Sequence, residues 1–467
     1  MDSQNDPQPV QDNNMNTHTH TNLNGSTHSS VQNIDNDIRV AVIGNVDSGK
    51  STLVGVLTRC ITDDGRGSAR SYVFNYKHEL SNGRTSSISH EIMGFSPNGS
   101  QVSPEHLTDS KNKTWNYIVE NSSHVVTFLD LCGHEAYLKT TIFGLVGLMP
   151  DYAMIVIGAN MGLTRMTKEH IGLALALKIP MFFVFTKIDI APENVYKENI
   201  ALLTKVITNP AAGSRLPLHI DDSTDVTDLC NMMEARVCPI FTVSNVTGQG
   251  IEKLRQFMFR LESRTMISGI FGKNDDPVEF LIDGVYMVTG VGLVLSGILK
   301  SGTVRLNDNL MLGPDKTGQY KSITVRGIHI KRVAVDYAIS GQSICLNIRS
   351  NNKKEQLKRN IVKKGMVAVD RALCMETAWE FDAEIVVLHH ATTIRPNYQP
   401  IVHCGIVRQA AKVMSMNKEL LRTGDTALVH FRFMFSPELI HPGMTILFRE
   451  GRTKGLGVIS QVYSMSN

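Results

Sequence analysis

The chain has 467 residues, of which 42% are hydrophobic and 19% are charged, and its formal net charge is +3. This length exceeds the usual size of one domain, and no apolar run approaches the roughly 20 residues that a membrane helix needs. Seven scattered cysteines without a CxxC pair argue against a disulfide framework and a cysteine-based metal site, so we expect a soluble, cytoplasmic protein of two or three domains.

The first segment, residues 1–37, is a polar tract. It is dominated by Asn, Gln, Ser, Thr, Asp and His, and it contains five Asp but neither Lys nor Arg. So few aliphatic side chains cannot offset the entropy lost on ordering, and we predict a disordered tail. Without these charges the rest of the chain carries about +8, which suits an acidic partner such as RNA as well as an ordinary, mildly basic surface.

From Ile38 the chain alternates short apolar runs with segments of helical spacing. The apolar runs predict buried parallel strands, and the segments between them predict helices that pack on a sheet. This alternation is typical of a doubly wound, mostly parallel α/β sheet, which we assign to residues 38–266. Two polar, turn-rich stretches, 96–113 and 209–228, are expected to be surface insertions.

The loop GNVDSGKS at 44–51 follows the apolar run RVAVI and precedes the helix-like STLVGVL, which is the setting of a phosphate-binding P-loop. Its backbone N–H groups and the following helix N-terminus can cradle phosphates. We expect Lys50 to reach the β and γ phosphates, Ser51 to offer its hydroxyl to Mg²⁺, and the Thr52 amide to meet the α-phosphate. The predicted phosphate-binding residues are Gly44, Asn45, Val46, Asp47, Ser48, Gly49, Lys50, Ser51 and Thr52.

DLCGHEAY at 130–137 follows the strand-like HVVTFL, so we expect Asp130 at the carboxyl end of a strand, where open α/β sheets bind ligands. From there Asp130 can hold Mg²⁺ through a water molecule. Gly133 lets its amide approach the γ-phosphate, and His134 can orient the attacking water. The predicted catalytic residues are His134, Lys50 and Gly133.

A P-loop does not by itself select a base. Asp189 in TKID at 186–189 offers a carboxylate suited to the N1 and N2 groups of guanine, a donor pair that adenine lacks. Lys187 can lay its aliphatic stem along the base, and SNVTGQG at 244–250 can give an amide to guanine O6. Guanine is therefore the predicted base, bound by Thr186, Lys187, Asp189, Ser244 and Asn245.

Beyond residue 266 the helical spacing disappears. Short strand-like runs, punctuated by Gly and Asp, fill residues 277–370 and, after a break, residues 373–465. Such runs are typical of β-barrels. We therefore expect the α/β domain to be followed by two β-barrel domains, II and III.

The order GxxxxGKS, DxxGH, TKxD and SN resembles the G domain of the translational GTPases, the superfamily of elongation factors Tu and 1-alpha. Residues 78–95 and 130–141 further resemble the first switch and the DxxGH segment of the eukaryotic GTP-binding protein one and two group. The segments 284–308, 392–411 and 448–459 resemble the second and third domains of the superfamily. The resemblance implies an α/β P-loop GTPase domain followed by two β-barrel domains.

The resemblance also implies that a first-switch hydroxyl ligates Mg²⁺ and senses the γ-phosphate. The hydroxyl that precedes an isoleucine favours Ser87, with Thr85 and Ser86 as alternatives. Thr186 stands where many relatives have Asn, and its single hydroxyl makes fewer hydrogen bonds to the P-loop, so nucleotide affinity is expected to be lower. Cys132 stands where elongation factors usually carry proline, which puts the stiffness of this switch in doubt.

The function implied is a Mg²⁺-dependent switch that hydrolyses GTP to GDP and phosphate. We expect a monomer that acts on ribosomes or RNA, with aminoacyl-tRNA as a further candidate ligand and with neither DNA nor a membrane as a partner. One alternative is a nucleotide-holding scaffold for RNA surveillance in which hydrolysis is incidental. The other is a metabolic GTPase subunit on the same architecture, against which the segments specific to the GTP-binding protein one and two group count.

Overall fold

A computed structural model of the chain divides into two compact units. The first unit holds the residues up to Arg264 except 145–149, and the second unit holds the remainder. The predicted tail, residues 1–37, lies outside the described residues, except for Asp37, which begins the first strand. The described residues are 37–103, 111–210, 213–264, 271–352, 357, 359, 361–373, 377–451 and 453–464.

The first unit is built on one eight-stranded sheet. Its strands are β1 (Asp37–Gly44), β2 (Ser89–Phe95), β3 (Gln101–Val102), β4 (His124–Asp130), β5 (Tyr152–Gly158), β6 (Met181–Thr186), β7 (Leu216–His219) and β8 (Val237–Thr242). Their spatial order is β3-β2-β4-β1-β5-β6-β8-β7. The pairs from β4 to β7 are parallel, whereas β2 and β3 pair antiparallel at one edge. Every residue of β5 and β6 is buried, as expected where helices cover both faces of a sheet.

Helices pack against this sheet through their apolar faces. In the last of them, the apolar positions recur at helical spacing, and Phe257 packs edge-on against Phe182, with ring centroids 5.1 Å apart. The helices of the described residues are α1 (Lys50–Arg59), α2 (Lys77–Asn82), α3 (Lys111–Asn121), α4 (Leu138–Gly147), α5 (Arg165–Ala176), α6 (Glu193–Ile207), α7 (Leu229–Glu234) and α8 (Ile251–Arg260). None of the described helices is long and apolar enough to cross a membrane.

The two stretches that we expected to be surface insertions contribute strands to the sheet. In the first, β3 pairs with β2 after a tight turn, and in the second, β7 adds a parallel edge strand beside β8. Residues 104–110 and 211–212 lie outside the described part of the chain. Both strands are short and lie at sheet edges, where polar residues are tolerated, so they carry little hydrophobic signal.

The second unit contains two rings of strands. The first ring has the spatial order β12-β17-β9-β10-β16-β13 and closes where β13 pairs with β12. In addition, β14 pairs antiparallel with β13, and β11 pairs antiparallel with β15. The prediction of an α/β domain followed by two β-barrels is thus confirmed. The strands, in chain order, are β9 (Glu279–Val288), β10 (Gly292–Ser301), β11 (Thr303–Arg305), β12 (Asn309–Gly313), β13 (Lys321–Ile330), β14 (Val333–Val335), β15 (Tyr337–Ile339), β16 (Ser343–Ser350) and β17 (Val367–Val369).

The second ring is a closed barrel of six strands. In β21 (Thr426–Phe433), buried and more exposed residues alternate, so one face of the strand points into the barrel. Inside the barrel, the ring centroid of Phe381 lies 5.3 Å from that of Phe431 and 5.1 Å from that of Phe433. The strand order is β18-β21-β20-β19-β22-β23. The strands are β18 (Ala378–His389), β19 (Ile401–Cys404), β20 (Val407–Met416), β21 (Thr426–Phe433), β22 (Thr445–Glu450) and β23 (Thr453–Ser464).

Candidate nucleotide-binding site

Four of the predicted motifs meet at one edge of the sheet in the first unit. The P-loop follows β1, Asp130 ends β4, Thr186 ends β6 and Ser244 lies just beyond β8. These strands are parallel, so their carboxyl ends point the same way, and such an edge is where open α/β sheets bind ligands. The topology therefore brings together motifs that are up to about 200 residues apart in the chain.

The P-loop packs closely against strand β5, and the side chain of Lys50 folds back onto the loop. A side chain at Gly44 would overlap the carbonyl oxygen of Val156 in β5, so only glycine fits there. Lys50 is 6% exposed, and its Nζ donates a hydrogen bond of 2.6 Å to the carbonyl oxygen of Asn45. Burial lowers the pKa of Lys50, and the negative charge of Asp130 opposes that shift. The ammonium group is thus held over the loop in which phosphates are expected.

Helix α1 starts at Lys50, directly after this loop. Gly49 occupies the position before the helix, and no side chain caps the first turn. The N–H groups of a first helical turn lack partners within the helix, and they attract anions together with the helix dipole. An uncapped helix N-terminus after a glycine-rich loop is therefore suited to phosphate oxygens.

A cluster of oxygen atoms lies beside the P-loop. Asp130 is fully buried, and its Oδ2 accepts hydrogen bonds from Ser51 Oγ at 2.6 Å and from Thr85 Oγ1 at 3.4 Å. The Ser51 and Thr85 hydroxyl oxygens are 2.9 Å apart. Within the described residues Asp130 Oδ1 has no hydrogen-bond partner, and burial raises the pKa of Asp130 to about 6, against the effect of Lys50. This donor set fits a hard cation such as Mg²⁺.

The first-switch hydroxyl in this cluster belongs to Thr85, whereas we favoured Ser87 from the sequence. The hydroxyls of Ser86 and Ser87 instead donate to Glu79 Oε1, at 2.8 and 3.1 Å, and their backbone N–H groups donate to the same oxygen. Glu79 is fully buried in α2. This carboxylate, which the sequence analysis missed, holds both serines away from Asp130.

The second switch touches the P-loop at Gly133. A side chain there would come within 2.5 Å of Lys50 Nζ and 2.7 Å of the Gly44 carbonyl oxygen, so the close approach requires glycine. His134 is half-buried, and its Nδ1 accepts a hydrogen bond of 3.1 Å from the Ala136 N–H. With Nδ1 as the acceptor, the neutral ring carries its proton on Nε2, which is free to donate to a water molecule.

Cys132 links the second switch to the first. Its thiol donates to the carbonyl oxygen of Ser87 at 3.5 Å, and its own carbonyl oxygen accepts from Thr141 Oγ1 at 2.7 Å. Burial raises the pKa of the thiol to about 12, so it stays protonated and remains a donor. A proline at this position would lack such a donor, and the substitution thus adds a contact between the switches.

Thr186 connects the base-recognition loop to the P-loop. Its Oγ1 donates to the carbonyl oxygen of Ser48 at 2.6 Å and lies 3.4 Å from that of Ile157. The hydroxyl therefore makes the connection between these two loops that we expected Thr186 to weaken. Beyond it, Lys187 has a left-handed backbone conformation, with φ 61°, and Asp189 is exposed at the sheet edge.

The loop after β8 leaves the side-chain oxygen of Asn245 without a partner among the described residues. The Ser244 N–H donates to the Gln249 carbonyl oxygen at 3.0 Å, and Ser244 Oγ accepts from the N–H groups of Val246 and Thr247, so Ser244 orders the turn. Asn245 Oδ1 is buried without a partner among the described residues. Of the two amides considered for guanine O6, that of Ser244 is already used within the loop.

One pocket joins the P-loop to both switches. It also contains two basic side chains, Arg70 and Arg84, to which the sequence analysis assigned no role, because neither belongs to the GxxxxGKS, DxxGH, TKxD or SN motif. Its lining consists of Val46, Asp47, Gly49, Lys50, Ser51, Thr52, Arg70, Gly83, Arg84, Thr85, Gly133 and His134.

Comparison with solved structures supports the fold. The GTPase-like domain of Ski7 from S. cerevisiae, bound to GTP, superposes with a TM-score of 0.67 at 12% sequence identity. The match covers 94% of this chain and 100% of that chain. At this identity the likeness concerns the fold alone.

Sequence comparison identifies the family. Residues 35–264 match the Elongation factor Tu GTP binding domain. The chain is 45% identical over 438 residues to GTP-binding protein 1 of Xenopus laevis, covering 93% of this chain and 65% of that protein. It is 40% identical over 433 residues to GTP-binding protein 2 of Homo sapiens, covering 92% and 70% of the two chains. The chain therefore belongs to the translational GTPase superfamily and, within it, to the group of GTP-binding proteins 1 and 2.

Proposed function

We propose that this protein binds GTP with Mg²⁺, hydrolyses it to GDP and phosphate, and acts as a nucleotide-dependent switch on ribosomes or RNA. The observation that carries the proposal is the meeting of P-loop, first switch and second switch around Asp130 and Lys50. We assign nucleotide binding to residues 38–266, with barrel domains II and III at 277–370 and 373–465.

The phosphates bind along the P-loop, from Gly44 to the first turn of α1. Lys50 turns from the Asn45 carbonyl oxygen to the β and γ phosphates, and the Thr52 amide meets the α-phosphate. Ser51 and Thr85 would hold Mg²⁺ through their hydroxyl oxygens, and Asp130 would hold it through water. When bound, the cation neutralises phosphate charge.

Hydrolysis requires little covalent chemistry from the protein. His134 Nε2 orients the attacking water, while the Gly133 N–H and Lys50 stabilise the charge on the γ-phosphate oxygens. The buried environment of Lys50 strengthens these interactions, because water competes less for its ammonium group. Loss of the γ-phosphate then releases the contacts made by Thr85 and Gly133, which changes both switches together.

Guanine is bound at the ends of β6 and β8. Asp189 accepts hydrogen bonds from N1 and N2, and the aliphatic stem of Lys187 covers the base. The Asn245 N–H, rather than that of Ser244, meets O6, because the Ser244 N–H already donates within its loop. Thr186 fixes the distance between this base site and the P-loop through Ser48.

Membership of the translational GTPase superfamily supports the proposal that the partner is the ribosome or an RNA molecule, with aminoacyl-tRNA as a further candidate. We propose a cytoplasmic monomer. The relatives' family counts against a metabolic GTPase subunit. A nucleotide-holding scaffold remains the competing function, and it differs in that partner binding would be independent of nucleotide.

The test is phosphate release from GTP by the purified chain, with and without ribosomes, in the presence of Mg²⁺. We expect slow release that ribosomes accelerate and that Lys50→Ala abolishes. No release by the wild type under either condition would refute the proposed hydrolysis. If Lys50→Ala recovers ribosomes or RNA as well as the wild type does, the scaffold function replaces the switch.

A further inference from the structure

Arg70 is a basic side chain in the phosphate pocket to which the proposed mechanism gives no role. It is half-buried and lines the pocket together with Lys50, Ser51, Gly133 and His134. Within the described residues no carboxylate forms an ion pair with its guanidinium group. A cation directed into an anion pocket without a protein counter-charge is available for a ligand phosphate.

The segment that carries Arg70 is held rigidly. The carboxylate of Asp63, which is only 7% exposed, accepts backbone N–H groups from Gly65 and Gly67 at 3.0 Å and from Ala69 at 2.9 Å. Ala69 begins a short 3₁₀ turn over residues 69–72 and is fully buried against α1. Because α1 starts at the P-loop, the position of Arg70 is fixed relative to the phosphate site.

The guanidinium group lies between two glycines. A Cβ atom at Gly67 would come within 2.6 Å of Arg70 Nε, and one at Gly83 would come within 3.0 Å of a terminal guanidinium nitrogen. Gly83 directly precedes the first-switch residues Arg84 and Thr85. The absence of side chains on both sides thus leaves a slot for a flat cation beside the Mg²⁺-binding cluster.

We propose that Arg70 binds the γ-phosphate of GTP and stabilises the charge that develops there during hydrolysis, an inference that rests on the proposed nucleotide site. A planar guanidinium can donate two parallel hydrogen bonds to phosphate oxygens. The water oxygen bonds to the γ-phosphorus while the bond from that phosphorus to the β,γ-bridging oxygen breaks. The electron pair of the broken bond stays on the oxygen that remains with GDP, both water protons end on the released phosphate, and Arg70 keeps its own protons throughout.

Arg84 lines the same pocket but does not share these properties. It is exposed, whereas Arg70 is half-buried in a slot between two loops. An exposed cation interacts through water and is screened by salt, so its contribution to phosphate binding is smaller. The burial and fixed position of Arg70 therefore assign the γ-phosphate contact to it.

A purely structural role for Arg70 predicts a different outcome. A side chain that only joins the two loops would, when removed, lower the melting temperature and weaken GDP and GTP alike. A γ-phosphate contact distinguishes the two nucleotides, because GDP lacks that group. The ratio of the two affinities is therefore the decisive quantity.

The experiment compares the wild-type chain with Arg70→Met, which keeps an unbranched apolar stem, and Arg70→Lys, which keeps the charge. Arg66→Ala removes the same charge from an exposed position of the same segment and is the matched control. We measure affinities for GDP and for a non-hydrolysable GTP analogue, the single-turnover rate of GTP hydrolysis, and the melting temperature.

We expect Arg70→Met to weaken the GTP analogue roughly tenfold to a hundredfold, as for the loss of a charge-assisted hydrogen bond, with GDP affinity unchanged. Hydrolysis should fall by at least the same factor, Arg70→Lys should recover part of both, and Arg66→Ala should match the wild type. If Arg70→Met does not fold, Arg70→Lys should still show a reduced preference for the analogue over GDP.

Equal losses for GDP and the analogue, or no loss for either, would overturn the assignment of Arg70. The same holds if Arg66→Ala weakens the analogue as much as Arg70→Met does. A wild-type chain that binds both nucleotides but releases no phosphate contradicts the proposed hydrolysis instead, and the affinity ratio still tests Arg70. The two failures are therefore distinguishable.

Discussion

At the scale of single residues, two buried carboxylates determine the roles of the hydroxyl groups in the first switch. Asp130 and Glu79 are both fully buried, and each accepts hydrogen bonds from the same short segment of the first switch, among other partners. Asp130 accepts from Thr85, and Glu79 accepts from Ser86 and Ser87. Three adjacent hydroxyls therefore divide between the proposed cation site and a structural hydrogen-bond network.

This division predicts that two matched substitutions differ in their effect on the Mg²⁺ requirement. Thr85→Ala removes an oxygen from the cation cluster, so the Mg²⁺ concentration needed for half-maximal GTP hydrolysis should rise roughly tenfold or more, as for other lost metal-site groups. Ser87→Ala leaves that cluster intact and should not change this concentration, although it removes one of the bonds to Glu79. Magnesium titrations of both variants provide the measurement. A larger effect of Ser87→Ala than of Thr85→Ala would return the Mg²⁺ role to Ser87.

Some residues of the site could be predicted from the sequence, whereas others could not. The P-loop motif could be identified because strand, glycine-rich loop and helix are contiguous in the chain. Thr85 could not be separated from its neighbours, because the choice depends on Glu79, whose carboxylate meets them only in the folded structure. Arg70 was missed for a similar reason: its position depends on Asp63 and on the glycines beside it, and no short motif records that arrangement.

At the scale of strands and helices, burial determined what the sequence revealed. Strands β5 and β6 are buried along their whole length and read as unbroken apolar runs. The edge strand β3 has only two residues, and β7 has four, of which none is fully buried. The alternation that marks a half-buried strand needs more residues than either contains, so both lie in stretches that the sequence predicts to be surface insertions.

The segment that follows β21 contains a carboxyl group with an unusual titration. Burial raises the pKa of Glu438 to about 7, although hydrogen bonds from Ser436 and Gln409 and the charge of Lys363 oppose the shift. The folded state thus favours the protonated form more than the unfolded chain does. This contribution to stability is fully present below about pH 4.5 and is lost as the pH rises through about 7.

Glu438→Gln should therefore stabilise the second unit at alkaline pH. The amide keeps an oxygen that can accept from Gln409 and Ser436 but carries no charge at any pH. We expect its melting temperature to exceed that of the wild type by a few degrees, roughly 2–4 °C, at pH 8.5, and to differ little at pH 5. The exposed Glu419→Gln is the control and should show no such pH-dependent difference. A constant difference at both pH values would show that ionisation of Glu438 is not its cause.

At the scale of the whole chain, charge is distributed unevenly between the N-terminal tract and the rest. The tract contains five of the Asp residues and no Lys or Arg, whereas the whole chain still has a formal charge of +3. Asp37 belongs to β1, where its carboxylate accepts a hydrogen bond of 2.7 Å from Thr127, so its charge is part of the folded unit. The other four Asp residues of the tract lie outside the described residues, and any effect of their charges at a distance is screened by salt beyond about 10 Å at 0.1 M.

If RNA is a partner, neutralising those four carboxylates should strengthen its binding at low salt. The variant for this test carries Asp→Asn substitutions at Asp2, Asp6, Asp12 and Asp35 and is compared with the wild type. The tract would then no longer offset the positive charge of the remaining chain, and each neutralised charge removes a repulsion with phosphates. We expect single-stranded RNA to bind more tightly at 50 mM salt, with a difference that shrinks towards zero at about 0.5 M as screening increases. Fluorescence anisotropy across a salt series measures both quantities. GDP affinity should be the same for the two proteins, because none of the four residues belongs to the proposed nucleotide site. Equal RNA affinities at low salt would mean that the tract does not modulate RNA binding.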